Sequence, residues 1–328
     1  ALFLWRPTDR NVGDVLQVAI DPTSGRPTSE PELVYPRLSA WNFRVSADGA
    51  RLAASDGDRV VNLREIALDG STSPDDNRTR MRTGGTGLWQ IHDILPDGTL
   101  LAALDGGLGW ELFAVSDDDV RRSLVRLPSA PLGVAASHDG ASIAIAIDRP
   151  SPAVLIHHVP DNRSRTIPVP EALSYLDWSR DGAHVVSMTT SSADHIVVVD
   201  VEEGTASRIE LDCGDRCEFA YEGIRAGPEW PYVAATSEVD TWIVNAETGA
   251  LRHVATNTWT IVAWQDDHIW FARSGGQTDW PGDVLYRVPA DGGPEERLLD
   301  LPPDCAGFEL DASSRFLVCA ADESRLDL

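Results

Sequence analysis

Four segments of this chain carry one hairpin signal at nearly regular intervals, and that cadence limits the fold more than any other feature. They are Phe43–Ser55, Ile94–Leu104, Ala135–Ile147 and Leu176–Met188; each runs an apolar strand into a polar pair, an Asp-Gly and a second apolar strand. Asp-Gly supplies the positive φ angles of a tight hairpin, because glycine has no Cβ and aspartate tolerates the left-handed region. The turn aspartates Asp48, Asp97, Asp139 and Asp181 are separated by 49, 42 and 42 residues. Weaker copies follow at Ile224–Ser237, Val262–Arg273 and Phe308–Ala320, with the turn chemistry altered.

Each hairpin is followed by a β-branched third strand: Val15–Ile20, Val60–Leu68, Trp110–Val115, Ala153–Val159, His195–Val201, Thr241–Asn245 and Val284–Val288. A turn and a more polar fourth strand close each unit: Glu32–Tyr35, Arg78–Thr83, Ser123–Leu127, Arg165–Val169, Ser207–Leu211, Leu251–Thr256 and Glu296–Leu301. Four antiparallel strands per repeat without a helical period describe a propeller blade. The expectation is therefore an all-β chain, a single β-propeller domain over 1–328. Seven blades follow from counting third and fourth strands, with six or eight as alternatives. Joining Gly307–Asp311 and Arg315–Ala320 to Val15–Ile20 and Glu32–Tyr35 would make one blade shared by the two termini and remove the open edges of a linear array. Either Leu2–Trp5 or Phe316–Ala320 is then surplus.

The turns read Ser46-Ala47-Asp48-Gly49, Leu95-Pro96-Asp97-Gly98, Ser137-His138-Asp139-Gly140 and Ser179-Arg180-Asp181-Gly182. In this the chain resembles the PD-type repeats of TolB-like bacterial propellers, written Ser-Pro-Asp-Gly before an apolar strand. The Trp-Asp and Gly-His marks of WD repeats are missing. The resemblance implies an extracytoplasmic binding or sensing module, in some members joined to a kinase, a transcription factor or a peptidase, none of which is visible in this sequence.

Composition removes several function classes. The formal charge is −25, and all 27 basic residues are arginine. Without lysine there is no Schiff-base chemistry, no Ser-Lys dyad and no P-loop lysine. So acidic a chain repels phosphate backbones and anionic membrane surfaces. Its apolar runs, such as Ala1–Trp5 and Ile196–Val199, are too short to cross a bilayer, and no signal-peptide pattern is visible. A monomer is expected. Cys213–Cys217 and Cys305–Cys319 read as two local disulfides, which places the chain in the periplasm or outside the cell. Buried free thiols, or a four-cysteine metal site of poor zinc spacing, are the competing readings.

No Gly-x-Ser-x-Gly elbow, His-Glu-x-x-His helix or phosphate loop is present, so neither a cofactor nor a catalytic set is expected. His157 and His158 alternate across a strand and cannot chelate together. Asp117-Asp118-Asp119 reads as a solvated acidic turn rather than a calcium loop. Propeller geometry puts first strands on the channel and the loops entering them on one face. Trp41, Trp89, Trp259 and Tyr175 would form an aromatic rim there, joined by Asp56, Asp58, Arg59, Trp110, Glu111, Asp194, His195, Arg273, Asp279 and Trp280. Aromatics beside carboxylates suit a cationic peptide, a carbohydrate or another small ligand; the alternative is that these tryptophans pack between blades. Phe43, Val45, Ile94, Val134, Ala136, Leu176 and Val262 make the inner strands look apolar, with no inward acidic set in register and the Asp-Gly turns on the face opposite the ligand. The preferred expectation is a non-catalytic binding or sensing propeller for a protein segment or small ligand. Runners-up are a lactonase- or lyase-type enzyme and the propeller of a serine peptidase whose catalytic part lies elsewhere.

Overall fold

Alternating apolar residues between short polar turns give strands throughout, and the computed structural model contains no helix among its described residues. Those residues are 2–7, 12–21, 24, 26–45, 52–56, 60–68, 79–84, 87–105, 109–127, 129–148, 150–190, 194–212, 223–236, 240–273 and 283–322. The chain divides into two compact units, Ala1–Val60 with Glu323–Leu328, and Val61–Asp322. The first unit holds one four-stranded antiparallel sheet in sequence order: β1 (Leu2–Pro7), β2 (Val12–Val18), β3 (Glu32–Val45) and β4 (Leu52–Asp56). β3 is one long strand that pairs with both β2 and β4, where the sequence suggested two separate strands.

The second unit is built from repeated sets of four. Four sets run in sequence order: β11–β14 (Val134–Ala136, Ser142–Ile147, Ala153–His158, Arg163–Pro168), β15–β18 (Leu173–Trp178, His184–Thr189, His195–Asp200, Thr205–Glu210), β19–β22 (Ile224–Ala226, Tyr232–Thr236, Asp240–Asn245, Leu251–Thr256) and β23–β26 (Thr260–Gln265, His268–Arg273, Val284–Pro289, Glu296–Asp300). A fifth comprises β7 (Leu88–Ile94), β8 (Leu100–Asp105), β9 (Trp110–Val115) and β10 (Arg121–Leu127). The sixth is discontinuous. Its order is β27 (Cys305–Leu310), β28 (Phe316–Asp322), β5 (Val61–Ala67), β6 (Thr79–Met81), and among the described strands its backbone pairing with the fifth is the parallel bridge Val61–Leu88.

The first strands β7, β11, β15, β19, β23 and β27 neighbour one another in order, and β27 returns to β7. This is the radial arrangement of a propeller, with its core in the apolar layers between successive sets, such as Leu101, Leu112, Val134, Ile143 and Ile145. Seven blades in one ring are not confirmed: among the described residues this unit contains six sets. The expected pairing of the C-terminal hairpin with Val15–Ile20 and Glu32–Tyr35 is also corrected. β28 instead takes β5 along a seven-residue register, from Phe316 opposite Ala67 to Asp322 opposite Val61. That strand buries Leu63 and Ile66 completely, Ile66 opposite Leu317 and Leu63 in one apolar cluster with Val318. Arg64 reinforces the junction with a bidentate pair to Asp304 at 2.9 and 2.7 Å.

The Cys305–Cys319 disulfide forms as expected, clasping β27 to β28 beside the closure. Cys213 and Cys217 lie outside the described residues. Replacing Cys305 and Cys319 together by alanine should lower unfolding free energy by about 3 kcal/mol, as expected for a loop of this length. Denaturant unfolding of parent and variant, both without reductant, checks this; equal midpoints would show that the clasp does not constrain the unfolded chain.

Candidate functional site

The inner ends of the first strands bring charge to the axis of the second unit. Each strand enters its hairpin through a residue that pairs back across the turn: Leu95, Ser137, Ser179, Gly227, Gln265 and Asp311. Two residues earlier stand Asp93, Ala135, Asp177, Arg225, Ala263 and Glu309. Three carboxylates and one guanidinium therefore occupy equivalent positions in a ring of six. They line a cavity of about 210 Å³ whose walls include the turn residues Pro96, His138, Arg180, Pro228, Asp266 and Ala312. This corrects two expectations: an inward acidic set does recur in register, and the axial cavity lies at the hairpin-turn end.

These groups stitch the ring as well as lining it. Asp93 Oδ2 accepts a hydrogen bond from the Ala136 amide at 2.7 Å, crossing from β7 to β11. The Trp178 indole donates to the Ala135 carbonyl at 3.0 Å. Asp177 Oδ2 accepts from the Ala226 amide at 2.7 Å, and Arg225 Nε donates to the Val262 carbonyl at 2.9 Å. The Gln265 amide donates to the Asp311 carbonyl at 2.8 Å. Side chains thus satisfy main-chain groups at each of the five junctions from β7 round to β27, where strands too splayed to form a common sheet would leave them unpaired. Arg225 also reaches past β23 to Glu309 at 2.6 Å, each side chain being 15% exposed.

Burial of so many charges shifts their titration. Burial pushes Asp93 up to about 6, the Asp177 charge adds to it, and the Ala136 amide opposes it. Asp177 is raised by burial against the pull of Arg225. Glu309 goes up to about 8 through burial and its two acidic neighbours, with Arg225 opposing. For Arg225 burial acts downward, but Glu309, Asp177 and Asp93 outweigh it and hold the guanidinium above its ordinary value. His92, on the same wall, is lowered to about 4 by burial, and its Nε2 has no hydrogen-bond partner. The signs differ. A raised carboxyl binds more protons folded than unfolded, so Glu309 removes stability as pH rises toward 8, whereas His92 adds stability as pH rises from 4 to 6.5. Between pH 6.5 and 8 the Glu309 effect stands without the His92 one. Unfolding free energy should fall across that window by roughly 1–2 kcal/mol, allowing for partial solvation. Glu309→Gln should flatten the slope; an unchanged slope in chemical denaturation would sink this assignment.

The residues expected at a rim have other occupations. Trp89 is 1% exposed, meets Phe113 edge-on at 5.8 Å and lies beneath the Arg121 guanidinium. Trp110 is buried among Leu101, Leu112 and Val134, and Trp259 packs partly buried against the cluster around Trp270 and Phe308. For these three, packing between strands is the role the structure provides. Tyr175 is 41% exposed, on the β15 bulge with φ of 50°. His195 is buried between Glu171 and Asp194, 2.6 Å from each. Arg273 is held by Glu295 and by the carbonyls of Thr256 and Asn257, over the rings of Phe271 and Tyr286. Glu111 accepts from Ser123. Asp58, Arg59, Asp279 and Trp280 lie outside the described residues, as do the side chains of Trp41 and Asp56. The acidic turn is tied to arginines, Asp117 to Arg82 at 2.8 Å and Asp119 to Arg121 at 3.1 Å. No group of three metal-ligating side chains occurs among the described residues.

The signal for the axial ring was present in the sequence. Asp93 and Asp177 each precede their turn aspartate by four residues, as do Ala135 and, in the first Asp-Gly repeat, Arg44. Arg225 and Glu309 escaped because their turns lack Asp-Gly, which hides the register.

Comparison with known proteins places the fold. No family model matches the chain. No curated protein matches it either. Solved structures do. A TolB of Agrobacterium tumefaciens superposes with a TM-score of 0.57 at 14% identity, covering 80% of this chain and 98% of its own. TolB of Acinetobacter baumannii gives 0.53 at 10% identity, covering 98% of this chain and 80% of its own. An oligogalacturonate lyase in complex with manganese gives 0.51 at 13%, covering 76% and 77%. The chain has a TolB-like β-propeller fold. At these identities the likeness is one of fold alone.

If the Trp89 indole is packing rather than rim, Trp89→Ala should cost about 3–5 kcal/mol in unfolding free energy. A loss below about 1 kcal/mol would return it to the surface.

Proposed function

We propose that this chain is a non-catalytic binding propeller of an extracytoplasmic compartment, and that its axial cavity receives a cationic group, carried by a small ligand or by a side chain of a protein segment. One observation carries the reading: three carboxylates in register, Asp93, Asp177 and Glu309, face a cavity whose wall adds Asp266, against the two guanidiniums of Arg225 and Arg180. Burial chiefly raises Asp93 and Glu309, with their acidic neighbours adding to it, and a ligand cation beside them would favour their charged forms as Arg225 does. The chain's overall charge of −25 steers such ligands inward. The Cys305–Cys319 disulfide suits an oxidising location. The protein-segment form of the reading draws on the TolB-like fold alone and is an analogy.

The enzyme reading rests on the two carboxyls raised toward neutrality, a property of general acids. The lyase neighbour is named for an anionic oligosaccharide. A polyuronate would meet three carboxylates in this cavity, and Asp93 and Asp177 are already committed to bridging amides. Binding is therefore preferred.

Ethylammonium, guanidinium and acetate are the probes that test it by isothermal titration at low ionic strength. Both cations should bind and acetate should not. Affinity should fall as salt is raised through the range where the Debye length shortens to about 8 Å. Glu309→Gln should weaken cation binding roughly tenfold while the protein stays folded. Acetate binding in preference to the cations would overturn the proposal.

A further inference from the structure

The axial cavity has a neighbour. A groove of about 570 Å³ runs between the β19–β22 and β23–β26 sets, and Pro228, Trp264 and Asp266 line both spaces. Its volume lies in the range of small-molecule sites. The two compartments differ in chemistry. The charged wall of the axial one is Asp93, Asp177, Glu309 and Asp266 with Arg225 and Arg180. The groove has an apolar lining of Tyr232, Ile243, Leu251 and the Trp264 indole, with the carboxylates of Glu229 and Asp266 on its exposed border. Tyr232 is 46% exposed, a large aromatic surface left in water beside a groove.

Trp264 is the partition. A Cβ on Gly227 would come within 3.0 Å of its ring, so glycine there lets the indole lie close against the β19 turn. Trp264 Nε1 is buried and has no hydrogen-bond partner. Indole N–H is a donor only, and leaving it unpaired is unfavourable. Arg252, the cation of the groove, donates to the Ala290 carbonyl at 2.6 Å and keeps its charge, so Glu229 and Asp266 leave the border with one net negative charge.

From this juxtaposition we infer that the ligand is an amphiphilic cation, a small molecule whose ammonium or guanidinium head enters the axial cavity while an apolar body of several carbons lies in the groove against Tyr232, Leu251 and Trp264. The inference rests on the axial-cavity reading above and adds the second compartment. Charge selects the head; the groove selects the body, and apolar burial there supplies affinity that a bare cation cannot obtain.

A homologous series tests it. Ethylammonium, then phenylalkylammonium ions with two to six methylenes, are titrated calorimetrically into the intact chain at low ionic strength. Affinity should climb by roughly two- to fourfold per methylene until the ring fills the groove, then level off. Tyr232→Ser with Leu251→Ser should flatten that climb. If the double variant folds poorly, Tyr232→Ser alone, at an exposed position, should reduce it. Ethylammonium bound with no gain along the series overturns this inference and leaves the axial reading standing. No binding by any ammonium ion overturns both. An identical climb in parent and groove variants places the chain elsewhere and overturns the inference.

Discussion

The antiparallel pairing of β28 with β5 is the contact on which the second unit depends. It joins residues 316–322 to residues 61–67 across most of the chain and turns five local sets into a ring of six. Local hairpins need only their own turns, whereas this pairing must overcome the loop entropy of some 250 intervening residues. Its apolar register, the Arg64–Asp304 pair and the neighbouring disulfide all act at that one place. Without it β27 would not stand beside β7, and Glu309 would not face Arg225.

Closure has an electrostatic consequence. First strands converge on the axis, too splayed to share a sheet, so their backbone groups need side-chain partners. Asp93, Asp177 and Arg225 meet that need while concentrating charge where water is scarce. Burial leaves Asp93, Asp177 and Glu309 above their ordinary range, against the pull of Arg225. The groups that hold the ring shut are thus the ones that give its cavity a preference for cations. The adjoining groove between two sets is lined by Ile243, Leu251, Trp264 and the exposed Tyr232.

Much of this was legible beforehand. Asp-Gly turns at regular spacing identify strands and sets, since a hairpin is decided by a few neighbouring residues. The C-terminal hairpin and its disulfide were legible for the same local reason. Its partner was misread, because the apolar patterns of residues 15–20 and of residues 61–67 satisfy the same rule, and only packing separates them. The tryptophans misled for a related reason. Position along a strand tells which face a side chain leaves by, but not whether a neighbouring set covers it, as one does over Trp110.

The sequence by itself determined the all-β character, the four-strand repeat, the exclusion of lysine chemistry and the acidity of the whole, all of which are local or compositional properties. The tertiary structure decided which distant strand closes the ring, and thereby that Asp93, Asp177, Arg225 and Glu309, four residues scattered over more than two hundred positions, share one cavity. Asp93 and Asp177 share a spacing to their turn aspartates while Arg225 and Glu309 lack that turn, so what unites all four is a radial position, and a radius exists only after the ring has closed.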